Sequence, residues 1–208
     1  MDNNNSFKND NGIKYYPYNL NEFTKFNYGL LYMNHNNNRR YEQMTLSRLQ
    51  KEYQLCSMDQ DLKTIGCIFG LCTPGDMFTW RVTMIGPNDS PYKGGIFTIK
   101  IIFPINYPHQ GAEFRFMNKI YHLNVDLKNK DSFGHISLNH LNEWRTTGKV
   151  RSKPCYGVKQ ALFDIFCLFY NQGFECCYDE YMAEEYVKNR KKFDETARKW
   201  TLEYANGN

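Results

Sequence analysis

The residues best suited to chemistry lie in the second half of the chain. Tyr121-His122-Leu123-Asn124 is followed by Gly134-His135-Ile136-Ser137-Leu138-Asn139, then His140 and Trp144, and later by the adjacent thiols Cys176-Cys177. Serine and cysteine are both acyl-transfer nucleophiles, on different terms. A thiol ionises near physiological pH, at about 8.5 unperturbed, and leaves readily. A serine hydroxyl is scarcely ionised at neutral pH and needs an adjacent base. His135 and His140 stand near Ser137 in sequence, but that is not triad geometry, and both read as loop or surface residues.

Metal chemistry finds no support. The seven cysteines, Cys56, Cys67, Cys72, Cys155, Cys167, Cys176 and Cys177, are odd in number and irregular in spacing. No Cys-x-x-Cys pair occurs, and Cys176-Cys177 has no second pair to close a zinc site. The same scatter argues against a disulfide framework and for reduced thiols in the cytoplasm or nucleus. No metal and no cofactor is expected. The 26 Lys+Arg against 22 Asp+Glu give a net charge of +4. That is too slight for nucleic acid, and no basic run supports such a partner. No stretch approaches the roughly 18 to 20 apolar residues of a membrane span. The start, MDNNNSFKND, lacks the basic and apolar regions of a secretory signal. The expectation is a soluble chain of 208 residues, one domain plus an extension. Its unexplained feature is the aromatic load, 16 Tyr and 15 Phe.

The elements that must position these groups divide the chain near residue 42. Residues 1–42 are Asn-rich, with Asn3-Asn4-Asn5 and Asn36-Asn37-Asn38, and read as a disordered extension. Its Tyr15, Tyr16, Tyr18, Phe23 and Phe26 would be the anchors of a docking tail. Residues 43–208 read as the folded domain. Leu46, Leu49, Tyr53 and Cys56 form one stripe of a helix beginning near Met44. Four strands follow, over Thr64–Leu71, Phe78–Ile85, Phe97–Phe103 and Glu113–Phe116, separated by turn residues. The short connections imply an antiparallel meander. Val158, Ala161, Leu162, Ile165, Phe166, Leu168 and Phe169 mark a buried helix, and a last one runs from about Met182. Its Lys188, Arg190, Lys191, Lys192, Glu195, Arg198 and Lys199 read as a solvated face. The fold class is α+β, with helices segregated from the sheet.

The order of motifs is similar to that of a ubiquitin-conjugating enzyme domain. Trp80, Gly86-Pro87, Pro91-Tyr92-Lys93-Gly94-Gly95-Ile96-Phe97, Phe103-Pro104-Ile105-Asn106-Tyr107-Pro108, Tyr121-His122-Leu123-Asn124, Gly134-His135-Ile136-Ser137 and Trp144 stand in that family's sequence. The resemblance covers about Met44 to Ala205. It implies a UBC-like fold with an N-terminal helix, a four-stranded meander and C-terminal helices. It implies acyl transfer in which a cysteine takes ubiquitin or a ubiquitin-like modifier from an activating enzyme and passes it to a lysine, with a ligase as scaffold. It also implies that Asn124 stabilises the oxyanion or the loop around it, and that His122 belongs to the same motif.

Departures concentrate around that chemistry. Ser137 occupies the catalytic-cysteine position. Leu123 replaces a proline, and Gly111-Ala112 replaces two. Leu127-Lys128-Asn129-Lys130-Asp131 is an insertion, and Arg145–Lys153 an extra stretch after Trp144. The family's acidic loop reads Asn171-Gln172-Gly173-Phe174-Glu175-Cys176-Cys177. An engineer changes one residue, whereas drift changes many, and drift is the better account. Cys176 falls where the family carries an acid beside the nucleophile, so Cys176 or Cys177 is a candidate substitute nucleophile. Arg48 and Lys51 on the first helix resemble basic partner contacts. His109 and Pro154 stand in the family's two contact loops, His109 in place of an aromatic anchor.

The resemblance therefore implies a ubiquitin-pathway protein that is catalytically impaired and acts as a binding or modulating variant. Its partners would be the modifier, activating enzyme, ligase or a true conjugating enzyme. Two alternatives stay open. One is an active conjugating enzyme, with Ser137 engineered or another cysteine in use. The other is a structural interaction module with no ubiquitin role.

Overall fold

The computed structural model describes residues 7–8, 14–15, 35–150 and 156–206. The chain divides into two units, Met1–Arg40 and Tyr41–Asn208. In the first, β1 (Phe7–Lys8) pairs antiparallel with β2 (Lys14–Tyr15). Tyr16, Tyr18, Phe23 and Phe26 lie outside the described residues, as does most of the stretch read as disordered.

Helix α1 spans His35–Met58, so the helix read from Met44 starts earlier and takes in the Asn36-Asn37-Asn38 run. Thr45, Leu49 and Cys56 form its buried stripe, and Tyr53 packs edge-on against Trp80 at 5.1 Å. A short α2 (Gln60–Thr64) follows, capped by Asp59, whose carboxylate accepts from the Leu62 amide. It takes the first residue of the strand expected from Thr64, and β3 covers only Ile68–Leu71. Then come β4 (Thr79–Ile85), β5 (Ile96–Ile102) and β6 (Glu113–Phe116).

These four strands pair in the antiparallel order β3-β4-β5-β6, as the short turns require. Trp80 faces Ile101, Val82 faces Ile99 and Met84 faces Phe97 across β4 and β5. All six are fully buried. One sheet face is thus continuous core, while Arg81, Thr98 and Lys100 point away.

The remaining helices are α3 (Asn139–Thr147), α4 (Val158–Leu168), α5 (Glu180–Lys188) and α6 (Arg190–Tyr204). Phe169, at the end of α4, brings the sheet and helices together, with ring centroids 5.1 Å from Phe97 and 5.3 Å from Tyr92. The last helix of the sequence reading is two, because Asn189 breaks it and caps α6 by accepting from the Lys192 amide. Helix α3 was not expected from the sequence. It buries Leu141 and Trp144 and ends at Gly148 in the left-handed conformation (φ 69°). No helix of the described residues is long and apolar enough to cross a membrane.

Candidate active site

The turn after Tyr121 is tied down by buried polar contacts. His122 is 1% exposed. Its Nε2–H donates to the Leu168 carbonyl at 3.1 Å, and its Nδ1 accepts from the Asn124 amide at 3.0 Å. That pattern needs a neutral ring, and burial pushes its pKa down to about 4. His122 is therefore a brace, with both nitrogens committed to backbone.

Asn124 is fully buried. Its Oδ1 accepts from the Gly173 amide at 2.9 Å and its Nδ2 donates to the Gly173 carbonyl at 2.7 Å. A longer contact reaches the Cys176 carbonyl at 3.4 Å. Both arms of the amide thus hold the loop after α4.

Ser137 ends a short extended segment paired with the same turn. Val125 bridges Ile136, and the Ser137 amide donates to the Asn124 carbonyl at 2.8 Å. Nδ2 of Asn142, on α3, donates to Ser137 Oγ at 3.0 Å. Neither histidine completes a serine–histidine pair. His140 turns toward α4, where Nδ1 lies 3.0 Å from Asp164 Oδ2 and the Tyr156 hydroxyl joins the same carboxylate at 2.9 Å. His135 is buried, correcting its reading as a loop or surface residue. Its Nδ1 lies 2.6 Å from Tyr178 Oη, and its Nε2 lies 3.3 Å from Arg145 Nη1. Burial first, then the Arg145 charge, pull its pKa down and favour the neutral ring.

Cys176 closes a one-turn 3-10 helix, Phe174–Cys176, and is half-buried. Its thiol donates to Asn139 Oδ1 at 2.9 Å, and the Asn139 amide donates to Glu175. Asn139 follows Ser137 by two positions. A groove of about 590 Å³ runs beside the Cys176 thiol, lined by Asn124, Asn139, His140, Asp164, Cys167 and Cys176 among others. Cys177 is also half-buried. Among the described residues no cluster of three His, Cys, Asp or Glu could hold a metal ion.

The Arg48 guanidinium sits over the Tyr107 ring, 5.6 Å from its centroid, and 3.6 Å from Glu52. Lys51 and His109 are exposed. Pro154 lies outside the described residues.

Several departures from the family pattern are matched by local partners. The Leu123 amide, which a proline would lack, donates to buried Gln172 Oε1 at 2.9 Å. The Gly111 amide donates to the Trp144 carbonyl at 3.1 Å, and a Cβ on Gly111 would lie 2.6 Å from the indole. The insertion is organised by Asp126, which accepts from the Lys128 and Asn129 amides and from the Ser132 hydroxyl. Sequence reasoning missed Asn142, Arg145, Gln172 and Tyr178. The signals for Arg145 and Gln172 were their places in the extra stretch and in the altered acidic loop, and the other two carried none.

A family model described as ubiquitin-conjugating enzyme matches residues 48–201. Among solved structures, the E2 domain of a Toxoplasma gondii ubiquitin-conjugating enzyme is similar, with a TM-score of 0.60 and 29% sequence identity. The match covers 76% of this chain and 97% of that one. The sheet order, the turn at Asn124 and the segment ending at Ser137 fit the same conclusion, that this chain belongs to the ubiquitin-conjugating enzyme family.

Proposed function

We propose that the chain is a ubiquitin-conjugating-enzyme-like protein impaired in acyl transfer. It acts in the ubiquitin or a ubiquitin-like pathway by binding the modifier or a true conjugating enzyme. The observation that supports this is the setting of Ser137. A hydroxyl stands where the family chemistry uses a thiol, and the nearby imidazoles are turned to Tyr178, Arg145 and Asp164. A hydroxyl without a base is a poor nucleophile at neutral pH. Activating enzyme and ligase are the further partners of this reading. It carries with it a location in the cytoplasm or nucleus, where thiols stay reduced.

The test is to incubate the native chain and Ser137→Cys with activating enzyme, ATP and ubiquitin. The native chain is expected to form no thiol-sensitive adduct, and Ser137→Cys to form one. Titration of ubiquitin against labelled native protein is expected to show saturable binding. Its absence for ubiquitin, ubiquitin-like modifiers and conjugating enzymes alike would leave the structural-module alternative.

A second reading has one observation in its favour. The Cys176 thiol is half-buried at the groove and held by Asn139, two positions from Ser137. As a substitute nucleophile it would accept the acyl group itself. A thiol-sensitive adduct on the native chain that is lost in Cys176→Ala with Cys177→Ala would establish this reading over the first.

A further inference from the structure

Two anchored stretches of backbone meet at the Ser137 side chain. The first is its own segment. There the Ile136 amide donates to the Phe114 carbonyl at 3.0 Å and the Ser137 amide to the Asn124 carbonyl at 2.8 Å. The second is helix α3, which starts two positions later and is anchored by buried Leu141 and Trp144. Within it the Asn142 amide donates to the Leu138 carbonyl at 2.8 Å, and the Asn142 carbonyl accepts from the Thr146 hydroxyl at 2.8 Å. The half-buried Asn142 side chain reaches back from there, and its Nδ2 donates to Ser137 Oγ at 3.0 Å. Donor and acceptor are both placed by backbone that is already fixed, so the contact needs little further ordering.

We propose that Asn142 is a further residue of the site, a fixed hydrogen-bond donor to the side-chain atom of position 137. The inference rests on the reading of that position as the place of the family's nucleophile. Its consequence depends on the atom the donor meets. For the native hydroxyl, Nδ2 engages one of the two oxygen lone pairs. It cannot take the proton that attack must release, so the contact gives Ser137 no base. A thiol in the same place would ionise by releasing its proton to water and leaving the charge on sulfur. A donor bonded to that anion favours it over the neutral thiol. The same amide therefore leaves a serine inert and would favour ionisation of a cysteine.

Other charged and titratable groups stand close by. Arg145 from α3, Arg115 and Glu113 from β6, Asp126 from the turn and Tyr178 from the loop all face His135, two positions before Ser137. Substitutions at 142 leave every one of them in place, so a change that follows such a substitution belongs to the amide. Helix α3 is not put at risk, because alanine is a better residue inside a helix than asparagine and aspartate is close to it in shape.

Two experiments on the full chain test this without modifier, activating enzyme or ATP, so their failure is distinct from a failure of charging. The first is NMR of the native side-chain amides, with Asn142 identified by its loss in Asn142→Ala. Its amide protons are expected to move upfield and exchange faster with water in Ser137→Ala. The second follows alkylation by iodoacetamide of the thiol introduced by Ser137→Cys, resolved from the native cysteines by peptide mass, as a function of pH. Adding Asn142→Ala is expected to raise the midpoint of that profile by about a half to one pH unit. The rate at pH 7 should then fall about twofold to threefold, because the less acidic thiolate is also the better nucleophile. Asn142→Asp is expected to raise the midpoint further, since a carboxylate has no donor and repels the thiolate. A purely structural role for Asn142 would change the rate at every pH and leave the midpoint where it was. That result, or Asn142 amide protons that Ser137→Ala does not move, would overturn the proposal.

Discussion

At position 123 a leucine amide does what a proline nitrogen could not. It donates to Gln172 Oε1 at 2.9 Å, while Gln172 Nε2 donates to the Tyr92 hydroxyl, which donates on to the Tyr121 carbonyl. Gln172 and Tyr92 are both buried, so none of these groups has water to fall back on. Leu123→Pro would leave the Gln172 carbonyl oxygen without its donor, at an expected cost of about 1–3 kcal/mol in urea unfolding. Leu123→Pro combined with Gln172→Leu should recover part of that loss, because an apolar side chain strands no acceptor. Strictly additive effects would show that the two positions are not coupled. The sequence announced the changes at 123 and in the loop that holds Gln172, but not that the two meet. Motif spacing marks His122, Asn124 and Ser137 as a site, but a hydrogen-bond partner 49 positions away depends on the path of a loop. The same silence covers Tyr178, which reaches His135 across 43 positions.

Elements were legible where burial imposes a period and illegible where a few residues set the ends. The four strands follow from alternation, with Trp80, Val82 and Met84 inward on β4 and Phe97, Ile99 and Ile101 inward on β5. Helix α4 followed from its apolar run. Helix α3 did not, because it carries only two buried residues, Leu141 and Trp144, in an otherwise polar segment. Helices α5 and α6 were read as one because a break at a single asparagine leaves hydrophobic spacing almost unchanged. The end of α3 rests on Gly148. Its φ is 69°, and a Cβ there would lie 2.1 Å from the His109 carbonyl oxygen. Gly148→Ala should destabilise the protein by on the order of 2 kcal/mol, from the left-handed backbone and the collision together. Urea unfolding measures the loss, and amide hydrogen exchange should place faster opening within residues 139–147. Because α3 carries both Asn142 and Arg145, the same substitution should loosen the two contacts that surround Ser137 and His135.

For the whole molecule, the packing of sheet against helices is tied to pH through a histidine the core holds neutral. His122 joins the turn before Asn124 to the end of α4, through the Leu168 carbonyl on one nitrogen and the Asn124 amide on the other. Its folded pKa of about 4 lies below the ordinary value of 6.5. The unfolded chain therefore binds this proton first as pH falls, and the unfolded state gains. The stability linked to neutral His122 is complete above pH 6.5 and drains away between 6.5 and about 4, where the folded protein protonates too. From pH 7 to pH 5 the expected loss is about 2 kcal/mol. His135, whose pKa is also lowered by burial, adds to it in the same direction. The carboxylates with lowered values, Asp59, Asp126, Asp179, Glu184 and Glu185, act at lower pH, below the ordinary carboxyl range, so the window above about 5 belongs to the imidazoles. Urea unfolding at pH 7.5, 6 and 5 checks the prediction. His135→Gln should remove only the smaller share of the slope, because its ring still contacts the half-exposed Tyr178 whereas His122 is enclosed. A stability that stays level across this window would mean that His122 is protonated in the folded state. That would break its bond from the Asn124 amide and free the turn that carries the candidate site.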